Sequence, residues 1–241
     1  MIDVIIPTYN RALALRDSLP TYIKQKMLGS IIIVDDASTD NTYEVVQDFK
    51  KIYPNIIYIK IDKKITLPAV RNIGIKAATA EYIFMGEDDV YLDENHFQNL
   101  FEQLNTLNAD LVAGRRLYIS ANQSQNEAII TANLDRDPIF VNIPFEGYFE
   151  RYIDKIQKVP FLHSNSFGKS SVFKKYLYNE FYLGNAFREE LDFYLRILND
   201  NGSMYLLPDV YCFHLKGAKT NSSGGARMKR LIYEYYVWRN T

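Results

Sequence analysis

The sequence predicts an α/β fold in which a mostly parallel central sheet is flanked by helices. Three observations lead to this fold class. Short runs of β-branched residues alternate with longer segments of helical period through the first half of the chain. Residues that start helices fall between those runs. Of the 241 residues, 47% are hydrophobic and 24% are charged, which is typical of a chain that folds around a core.

Four short apolar runs in the first half predict buried strands, since they are rich in isoleucine, valine and aromatic residues. A strand-helix-strand alternation of this kind closes as a parallel sheet with helices on both faces. Ligands of such sheets bind beyond the carboxyl ends of the strands. The runs lie at residues 4–6, 31–34, 56–59 and 82–85.

The segments after these runs carry apolar residues every three or four positions, which is the period of a helix with one buried face. Asn41 and Glu44 resemble a capping box, and Pro68 suits a first helical turn. Asp93 can cap the fourth helix. Pro20 predicts a kink or a split in the first helix because proline removes a backbone donor. The periodic residues lie within 15–27, 43–49, 70–77 and 97–104.

The second half of the chain is less regular. Apolar residues at helical spacing predict helices, and β-branched or aromatic runs predict strands. Glycine, serine and asparagine enrichment predicts a mobile loop. We predict strands at 109–117, 204–207 and 210–213, helices at 145–156 and 187–198, an irregular segment at 120–141 and the loop at 217–225.

Charge and cysteine content exclude several classes of protein. Lys and Arg total 28 against 29 Asp and Glu, which gives a net charge of −1 and no basic field for a nucleic acid. We therefore expect no nucleic-acid partner. Cys212 is the only cysteine, so an intramolecular disulfide framework and a cysteine zinc cluster are excluded. No apolar run approaches the roughly 18 residues of a membrane span, and we expect a cytoplasmic protein.

Polar side chains follow three of the predicted strands where each strand ends. They form the segments 7–10, 35–38 and 86–89, and the last two are acidic. Crowded carboxylates cost free energy unless a cation or hydrogen-bond donors offset their charge. Mg²⁺ and Mn²⁺ prefer oxygen ligands and are often shared with substrate phosphates, so a metal-diphosphate ligand is favoured. The alternative is that these acids form solvated turns and helix caps.

Six segments, in order along nearly the whole chain, carry a resemblance to a known family. They are residues 4–10 (VIIPTYN), 34–39 (VDDAST), 71–74 (RNIG), 87–89 (EDD), 187–192 (FREELD) and His214. These segments resemble the motifs of the inverting, nucleotide-sugar-dependent glycosyltransferases of family 2, which have the GT-A fold. The resemblance implies a Rossmann-like half that binds the nucleotide sugar and a half that binds the acceptor.

The resemblance also implies roles in donor binding. Asp36 would accept a hydrogen bond from N3–H of uracil or thymine, a base edge that a carboxylate acceptor suits. Arg71 would lie near the ribose or the diphosphate, and Asp88 near the ribose or the sugar. Asp89 would bind Mn²⁺ or Mg²⁺. His214 would supply a second metal ligand or approach the diphosphate. The nucleotide would be cradled by Pro7, Thr8, Tyr9 and Asn10.

Two positions depart from the family pattern. Glu87 replaces the first aspartate of the usual DxD triplet, so its longer arm could reach the donor directly or the metal through water. Glu190 stands where the family usually has aspartate in its acidic motif. We still expect Glu190 to be the catalytic base, because an inverting transfer needs a proton acceptor on the side of the acceptor hydroxyl. The alternative is that Glu190 is an ordinary carboxylate in the first turn of a helix, where the helix dipole stabilises a negative charge.

The resulting prediction is a metal-dependent transferase. It would move a sugar from a UDP- or dTDP-sugar to a hydroxyl of a glycan or lipid-linked saccharide in cell-surface polysaccharide synthesis. A non-catalytic nucleotide-sugar-binding protein and a metal-dependent phosphohydrolase are the alternatives. We expect one domain over 1–241, with a donor half at 1–115, an acceptor half at 116–225 and a C-terminal helix at 226–241. That basic and aromatic helix would pack on its own domain or contact the inner face of the membrane.

Overall fold

The computed structural model describes residues 1–120, 122–140, 147–183, 186 and 188–215. The predicted loop at 217–225 and the predicted C-terminal helix lie outside these residues. In the first half, strands and helices alternate as the sequence predicts. The elements are β1 (Ile2–Thr8), α1 (Ala12–Ile23), β2 (Leu28–Asp35), α2 (Thr42–Ile52), β3 (Ile56–Lys60), α3 (Leu67–Ala77) and β4 (Tyr82–Met85).

The second half contributes further helices, and strands that range from 2 to 12 residues in length. Among the described residues no helix is both long and apolar enough to cross a lipid bilayer. The elements are β5 (Val90–Leu92), α4 (His96–Thr106), β6 (Leu111–Ile119), α5 (Gln125–Ala132), β7 (Gln157–Lys158), β8 (Phe167–Lys169), α6 (Ser170–Tyr176), α7 (Glu189–Asn199) and β9 (Met204–Leu215).

The described strands form one sheet in the order β3-β2-β1-β4-β8-β6-β9-β5, and β7 pairs with β9. Strands β3, β2, β1 and β4 are all parallel, with Ile5 opposite both Ile32 and Met85. Strand β8 runs antiparallel between β4 and β6, whereas β6 and β9 are parallel. The sheet is therefore parallel across β3, β2, β1 and β4 and mixed in its remaining strands.

Two apolar cores cover the two faces of this sheet. Successive side chains of a strand point to opposite faces, so Val4 and Ile6 enter one core and Ile5 enters the other. Helices α1, α2 and α4 cover the face of Val4. Helices α3, α6 and α7 cover the face of Ile5. This arrangement brings the carboxyl ends of the four parallel strands to one edge, between α3 and the start of α1.

The helix signals are confirmed in part. Pro68 lies in the first turn of α3, as predicted. Helix α1 runs through Pro20 without a split and ends at Ile23. The expected cap at Asn41 makes no side-chain hydrogen bond, so the capping box there is wrong. Asn95, not Asp93, occupies the N-cap position of α4.

Three predictions for the second half are wrong. The described part of the segment at 145–156, from residue 147 onward, forms turns, and Phe149 packs on a ring outside the segment: its centroid lies 5.9 Å from that of Phe161. The strands at 204–207 and 210–213 are one strand, β9, whose register with β6 shifts between Ala113 and Arg115. Helix α5 lies within the segment expected to be irregular, and its N-cap Ser124 forms a capping box with Glu127.

Candidate functional site

A cavity of about 410 Å³ opens where β1, β2 and β4 end. It is lined by residues that follow these strands, by the segment between β3 and α3, and by the end of β9. Most of the nucleotide-binding and metal-binding residues predicted from the sequence meet here. The lining residues are Pro7, Thr8, Tyr9, Arg11, Asp36, Lys64, Ile65, Leu67, Val70, Arg71, Glu87, Asp88, Asp89 and His214.

The segment after β1 supplies one wall of the cavity. Thr8 donates a hydrogen bond from Oγ1 to Asp88 Oδ2 over 2.9 Å. The Nζ atom of Lys64 lies 3.4 Å from the centroid of the Tyr9 ring. Asn10 is not part of the wall that the described residues form. Its Oδ1 accepts hydrogen bonds from backbone N–H groups of the segment after β2, including that of Thr39 at 2.7 Å, so Asn10 positions the loop.

The two aspartates that end β2 have different environments. Asp35 is buried, and its Oδ1 accepts a hydrogen bond from the N–H of Ser38 while its Oδ2 accepts one from the hydroxyl of Tyr58. Asp35 therefore stabilises a turn, which is the alternative role expected for these acids from the sequence. Asp36 lines the cavity, and its Oδ1 accepts the N–H of Ile65 over 2.8 Å. Burial raises the pKa of Asp36, although the Ile65 hydrogen bond opposes this shift.

The acidic triplet after β4 faces the same cavity and is surrounded by cations. Asp89 lies between Arg11 and the imidazole of His214: its Oδ2 is 3.4 Å from a terminal nitrogen of Arg11, and its Oδ1 is 3.4 Å from Nε2 of His214. Asp88 Oδ1 is 3.9 Å from Nε of Arg11. Glu87 Oε2 is 2.8 Å from a terminal nitrogen of Arg116.

The environment perturbs the protonation of these groups. Burial and the charge of Asp89 raise the pKa of Asp88 to about 8. Burial and Glu87 also raise the pKa of Asp89. Burial alone would raise the pKa of Glu87, but Arg116, together with Arg71 and His214, lowers it to about 2. Burial and Arg116 lower the pKa of His214, so its imidazole is neutral near pH 7 and can act as a metal ligand.

Glu87, Asp89 and His214 fit a divalent cation. One ligand atom of each residue lies within 4.8 Å of the ligand atoms of the other two. Ligand atoms at about 2.1 Å from an octahedral ion are about 3 to 4 Å from one another. Small side-chain movements would therefore bring these three atoms to coordination distance. The two carboxylates suit Mn²⁺ or Mg²⁺, and the neutral imidazole favours a transition metal such as Mn²⁺ over Mg²⁺. Asp89 and His214 were predicted as ligands from the sequence, and the position of Glu87 makes it the third candidate.

Arg71 joins this site to α7. It is buried, and its guanidinium forms an ion pair with Glu189 and a second one with Glu190, where the nitrogen and Oε1 are 3.1 Å apart. The same nitrogen lies 3.9 Å from Glu87 Oε1. Burial alone would lower the pKa of Arg71, but Glu189, Glu190 and Glu87 raise it well above its usual range. Glu190 lies outside the cavity wall formed by the described residues and is connected to it through Arg71.

The charges that meet here do not balance. Three guanidinium groups, of Arg11, Arg71 and Arg116, contact five carboxyl groups, which are those of Glu87, Asp88, Asp89, Glu189 and Glu190. If all five carboxyl groups were ionised, they would carry two negative charges more than the three guanidinium groups, and that is the charge that one divalent cation offsets. Burial is the main cause of the raised pKa of Asp88, and the neighbouring charge of Asp89 adds to it.

Sequence reasoning missed Arg11, Lys64 and Arg116. Arg11 directly follows the segment 7–10 that is predicted to bind the nucleotide, so its position in the sequence could have identified it as a site residue. Arg116 lies in β6, a strand whose pattern indicates only burial. It donates a hydrogen bond to Ser164 Oγ over 2.7 Å besides its ion pair with Glu87. The contact between Arg116 and Ser164 depends on the fold of the second half, which local sequence patterns do not specify.

Comparison with known proteins agrees with the family resemblance of the sequence motifs. The family described as Glycosyl transferase family 2 matches residues 3–177. The glycosyltransferase GlyA of Streptococcus pneumoniae serotype 4 is 26% identical over 223 residues, which are 92% of this chain and 30% of GlyA. The poly(ribitol-phosphate) beta-N-acetylglucosaminyltransferase TarP of Staphylococcus aureus is 30% identical over 119 residues, which are 47% of this chain and 36% of TarP. The chain spans about a third of the length of these curated relatives.

Solved structures resemble the whole described fold. The crystal structure of S. aureus TarS 1-349 in complex with UDP-GlcNAc matches with a TM-score of 0.67 and 16% identity, covering 92% of this chain and 61% of that chain. The same protein in complex with UDP matches with a TM-score of 0.66 and 15% identity, covering 89% and 60%. The fold predicted from the sequence is thereby confirmed.

Proposed function

The chain belongs to glycosyl transferase family 2, and from this membership we propose that it transfers a sugar from a UDP- or dTDP-sugar to a hydroxyl group of a glycan or lipid-linked saccharide. The observation that carries the proposal is the cavity at the strand ends. There Asp36, the acidic triplet at 87–89 and His214 face one space, and Arg71 connects it to Glu190. A base-binding carboxylate, a cation site and a proton acceptor are the parts that such a transfer needs.

Donor binding uses the wall formed by β1 and β2. Asp36 accepts one hydrogen bond from Ile65, and its second carboxylate oxygen can accept the N3–H of uracil or thymine. Cytosine presents a lone pair at that position, so a carboxylate there disfavours a cytidine donor. Tyr9 supplies a ring in the same wall. Thr8 fixes Asp88 by its hydrogen bond and so orients the carboxyl group that would face the ribose or the sugar.

The leaving diphosphate would lie against the acidic triplet. Glu87, Asp89 and His214 would hold Mn²⁺ or Mg²⁺, which when bound supplies Lewis-acid stabilisation of the charge that develops on the departing diphosphate. Arg116 keeps Glu87 ionised, as the low pKa of that carboxyl group indicates. Arg71 restrains Glu87 from the other side.

Proton transfer would involve α7. In an inverting transfer the acceptor oxygen forms a bond to the anomeric carbon on the face opposite the nucleotide, while the bond from that carbon to the diphosphate oxygen breaks. The acceptor hydroxyl loses its proton, and Glu190 would accept it. Glu190 is 36% exposed, so an acceptor can reach it, and Arg71 holds it in place. Glu189 is buried beside it and serves as the second anchor for the Arg71 guanidinium.

The relatives support a hydroxyl-bearing cell-surface polymer as the acceptor. TarP is named for transfer of N-acetylglucosamine to poly(ribitol-phosphate), and a Bacillus spizizenii relative for glucosyl transfer to the same polymer. TarS was crystallised with UDP and with UDP-GlcNAc. A uridine diphosphate sugar is accordingly the first donor to test, and a polyol or glycan hydroxyl the first acceptor.

The experiment combines binding with turnover. Thermal shift with UDP, dTDP and CDP, each with Mn²⁺, Mg²⁺ or EDTA, tests the donor site. We expect metal-dependent stabilisation by UDP or dTDP and little by CDP. A panel of UDP-sugars with saccharide acceptors then tests transfer by mass spectrometry of the product. Glu190→Gln should keep UDP binding and lose about 10²- to 10⁴-fold in kcat. Glu94→Gln, on the exposed turn before α4, is the matched control.

The outcomes separate the alternatives. A phosphohydrolase would release phosphate from UDP or the nucleotide sugar without any acceptor. A non-catalytic binding protein would bind UDP with the metal and form no product with any acceptor in the panel. Absence of stabilisation by any nucleotide, with or without metal, contradicts the proposed function itself.

A further inference from the structure

We propose that Arg11 is the counter-ion of the acidic site in the nucleotide-free protein and couples the two ligands of that site. It opposes binding of the divalent cation alone and favours binding of the diphosphate once the cation is present. This inference rests on the proposed function, since it assumes that the cation and the diphosphate bind at the acidic triplet. It gives Arg11 a role in coupling the two ligands that differs from the roles proposed for the site residues above.

The position of Arg11 carries the first step. It is the N-cap residue of α1, and its side chain is only 16% exposed. Its guanidinium lies between Asp88 and Asp89, at 3.9 Å and 3.4 Å from their carboxylate oxygens. These distances exceed that of a good N–H···O hydrogen bond, so attraction between opposite charges holds the side chain there. A side chain held in this way moves more easily than one locked by short hydrogen bonds.

The other two arginines of the site are more firmly anchored. Arg71 is paired at short range with Glu189 and Glu190. Arg116 pairs with Glu87 at 2.8 Å and donates a hydrogen bond to Ser164 at 2.7 Å. Of these three guanidinium groups, Arg11 is therefore the one whose ion pairs with the described carboxylates are all 3.4 Å or longer. It is the one that can exchange its carboxylate partners for a diphosphate.

Competition with the cation follows from a shared partner. Asp89 contacts Arg11 through Oδ2 and His214 through Oδ1, and it is a candidate metal ligand together with His214. A divalent ion on Asp89 would lie within a few ångströms of the guanidinium, where like charges repel strongly because the site is largely buried. Arg11 must therefore weaken cation binding in the absence of an anion.

A diphosphate reverses the sign of this effect. The diphosphate oxygens can bind both the cation and the guanidinium. Arg11 lines the cavity in which the diphosphate would lie. Removal of the Arg11 charge should then strengthen binding of the cation alone and weaken binding of UDP to the cation-loaded protein. Binding of the cation alone and binding of UDP to the cation-loaded protein are successive steps of one thermodynamic cycle, so the dissociation constant of each step tests one of the two statements.

The experiment measures two dissociation constants by calorimetry on the intact chain: that of Mn²⁺ alone, and that of UDP at saturating Mn²⁺. For Arg11→Met we expect Mn²⁺ to bind at least about tenfold more tightly and UDP at least about tenfold more weakly than in the wild type. Arg11→Lys keeps the charge and should stay close to the wild type. Arg16→Met removes a charge from an exposed position of α1 and should change neither constant.

The results that contradict the inference are distinct from those that contradict the function. If the wild type binds Mn²⁺ and UDP and Arg11→Met has the same two constants, Arg11 is not the coupling residue and the proposed function stands. If Arg11→Met weakens Mn²⁺ binding, the competition is absent and the inference is wrong. If the wild type binds neither ligand, both fail together. Thermal melting of each variant verifies that it is folded, and Arg11→Gln replaces Arg11→Met if that variant does not fold.

Discussion

Arg71 and Glu190 form an ion pair in which a guanidinium nitrogen and Oε1 lie 3.1 Å apart, across 119 residues of chain. Arg71 belongs to α3 and Glu190 to α7, so the pair joins the half that would bind the donor to the half that would bind the acceptor. The same guanidinium binds the buried Glu189 and lies near Glu87. The candidate base is therefore oriented by a residue of the donor wall.

Arg71→Lys should separate binding from turnover. A lysine ammonium is a single point charge and cannot bind Glu189 and Glu190 as the planar guanidinium does. Glu190 would lose its orientation, and a displacement of about 1 Å costs roughly 100-fold in rate. We expect kcat to fall by about that factor and the KM for the nucleotide sugar to change less. An unchanged kcat, with Arg16→Lys as the exposed control, would show that Arg71 does not orient the base.

Asp36→Asn should weaken binding of uridine nucleotides. The amide keeps an oxygen that can accept the Ile65 N–H, so the loop should remain in place. Loss of the charged acceptor for N3–H should raise the Kd of UDP about tenfold, since a hydrogen bond to a charged group contributes about 1.5 kcal/mol or more. Calorimetry at saturating Mn²⁺ measures this constant, and Asp48→Asn on the surface of α2 is the control. Equal Kd values for all three proteins would exclude Asp36 as the base-binding residue.

The first half of the fold and much of the donor site could be predicted because the relevant signals are local. Thr8, Asp36 and Asp89 each follow a strand that is recognisable by its own sequence. Parallel pairing then brings the strand ends together without further information. Asp35 shows the limit of this reasoning: it stands beside Asp36 in the same motif, yet it is buried and holds a turn.

The second half could not be predicted because its contacts are distant in the chain. Arg116 meets Glu87 only because β6 pairs with β8 and β9, which lie more than 40 residues later. Phe149 is one of several aromatic residues whose spacing is helical, yet its ring packs with those of Phe140 and Phe161 in a region of turns. Periodicity records which side chains are buried, and here burial arises from packing between loops rather than from a helix face.

Gly74→Ala should destabilise the fold at the junction that positions Arg71. A Cβ atom at this position would lie 2.3 Å from Cγ2 of the fully buried Ile5, so α3 would have to move away from β1. Overpacking of this kind costs about 1–3 kcal/mol, partly offset by the better helix propensity of alanine. We expect a net loss of about 1 to 2 kcal/mol in the free energy of unfolding, measured with urea.

The double variant Ile5→Ala/Gly74→Ala tests the cause of that loss. Ile5→Ala removes the methyl group that the new Cβ would meet, so the two substitutions should compensate by at least about 0.5 kcal/mol relative to their sum. Strict additivity would mean that the loss does not come from the contact between these two residues.

His163 should make the fold sensitive to acid. The ring is buried, its Nε2 donates to the carbonyl oxygen of Gly114 over 2.8 Å, and its Nδ1 accepts the N–H of Asn165. Burial, with a further contribution from Arg116, lowers the pKa of His163 to about 3. The unfolded chain takes up a proton near pH 6.5, whereas the folded protein does not until the pH is far lower. The stability contributed by the neutral ring is therefore complete above pH 6.5 and is lost progressively as the pH falls toward 3.

Between pH 7 and pH 5 this single group should lower the free energy of unfolding by about 2 kcal/mol. His163→Gln can keep the donor to Gly114 but cannot titrate, so its stability should fall by about 2 kcal/mol less than that of the wild type over the same interval. Urea unfolding of both proteins at the two pH values measures this difference, and contributions of all other groups cancel in it. Parallel pH dependences would show that His163 is protonated in the folded state, and that its hydrogen bond to Gly114 does not depend on a neutral ring.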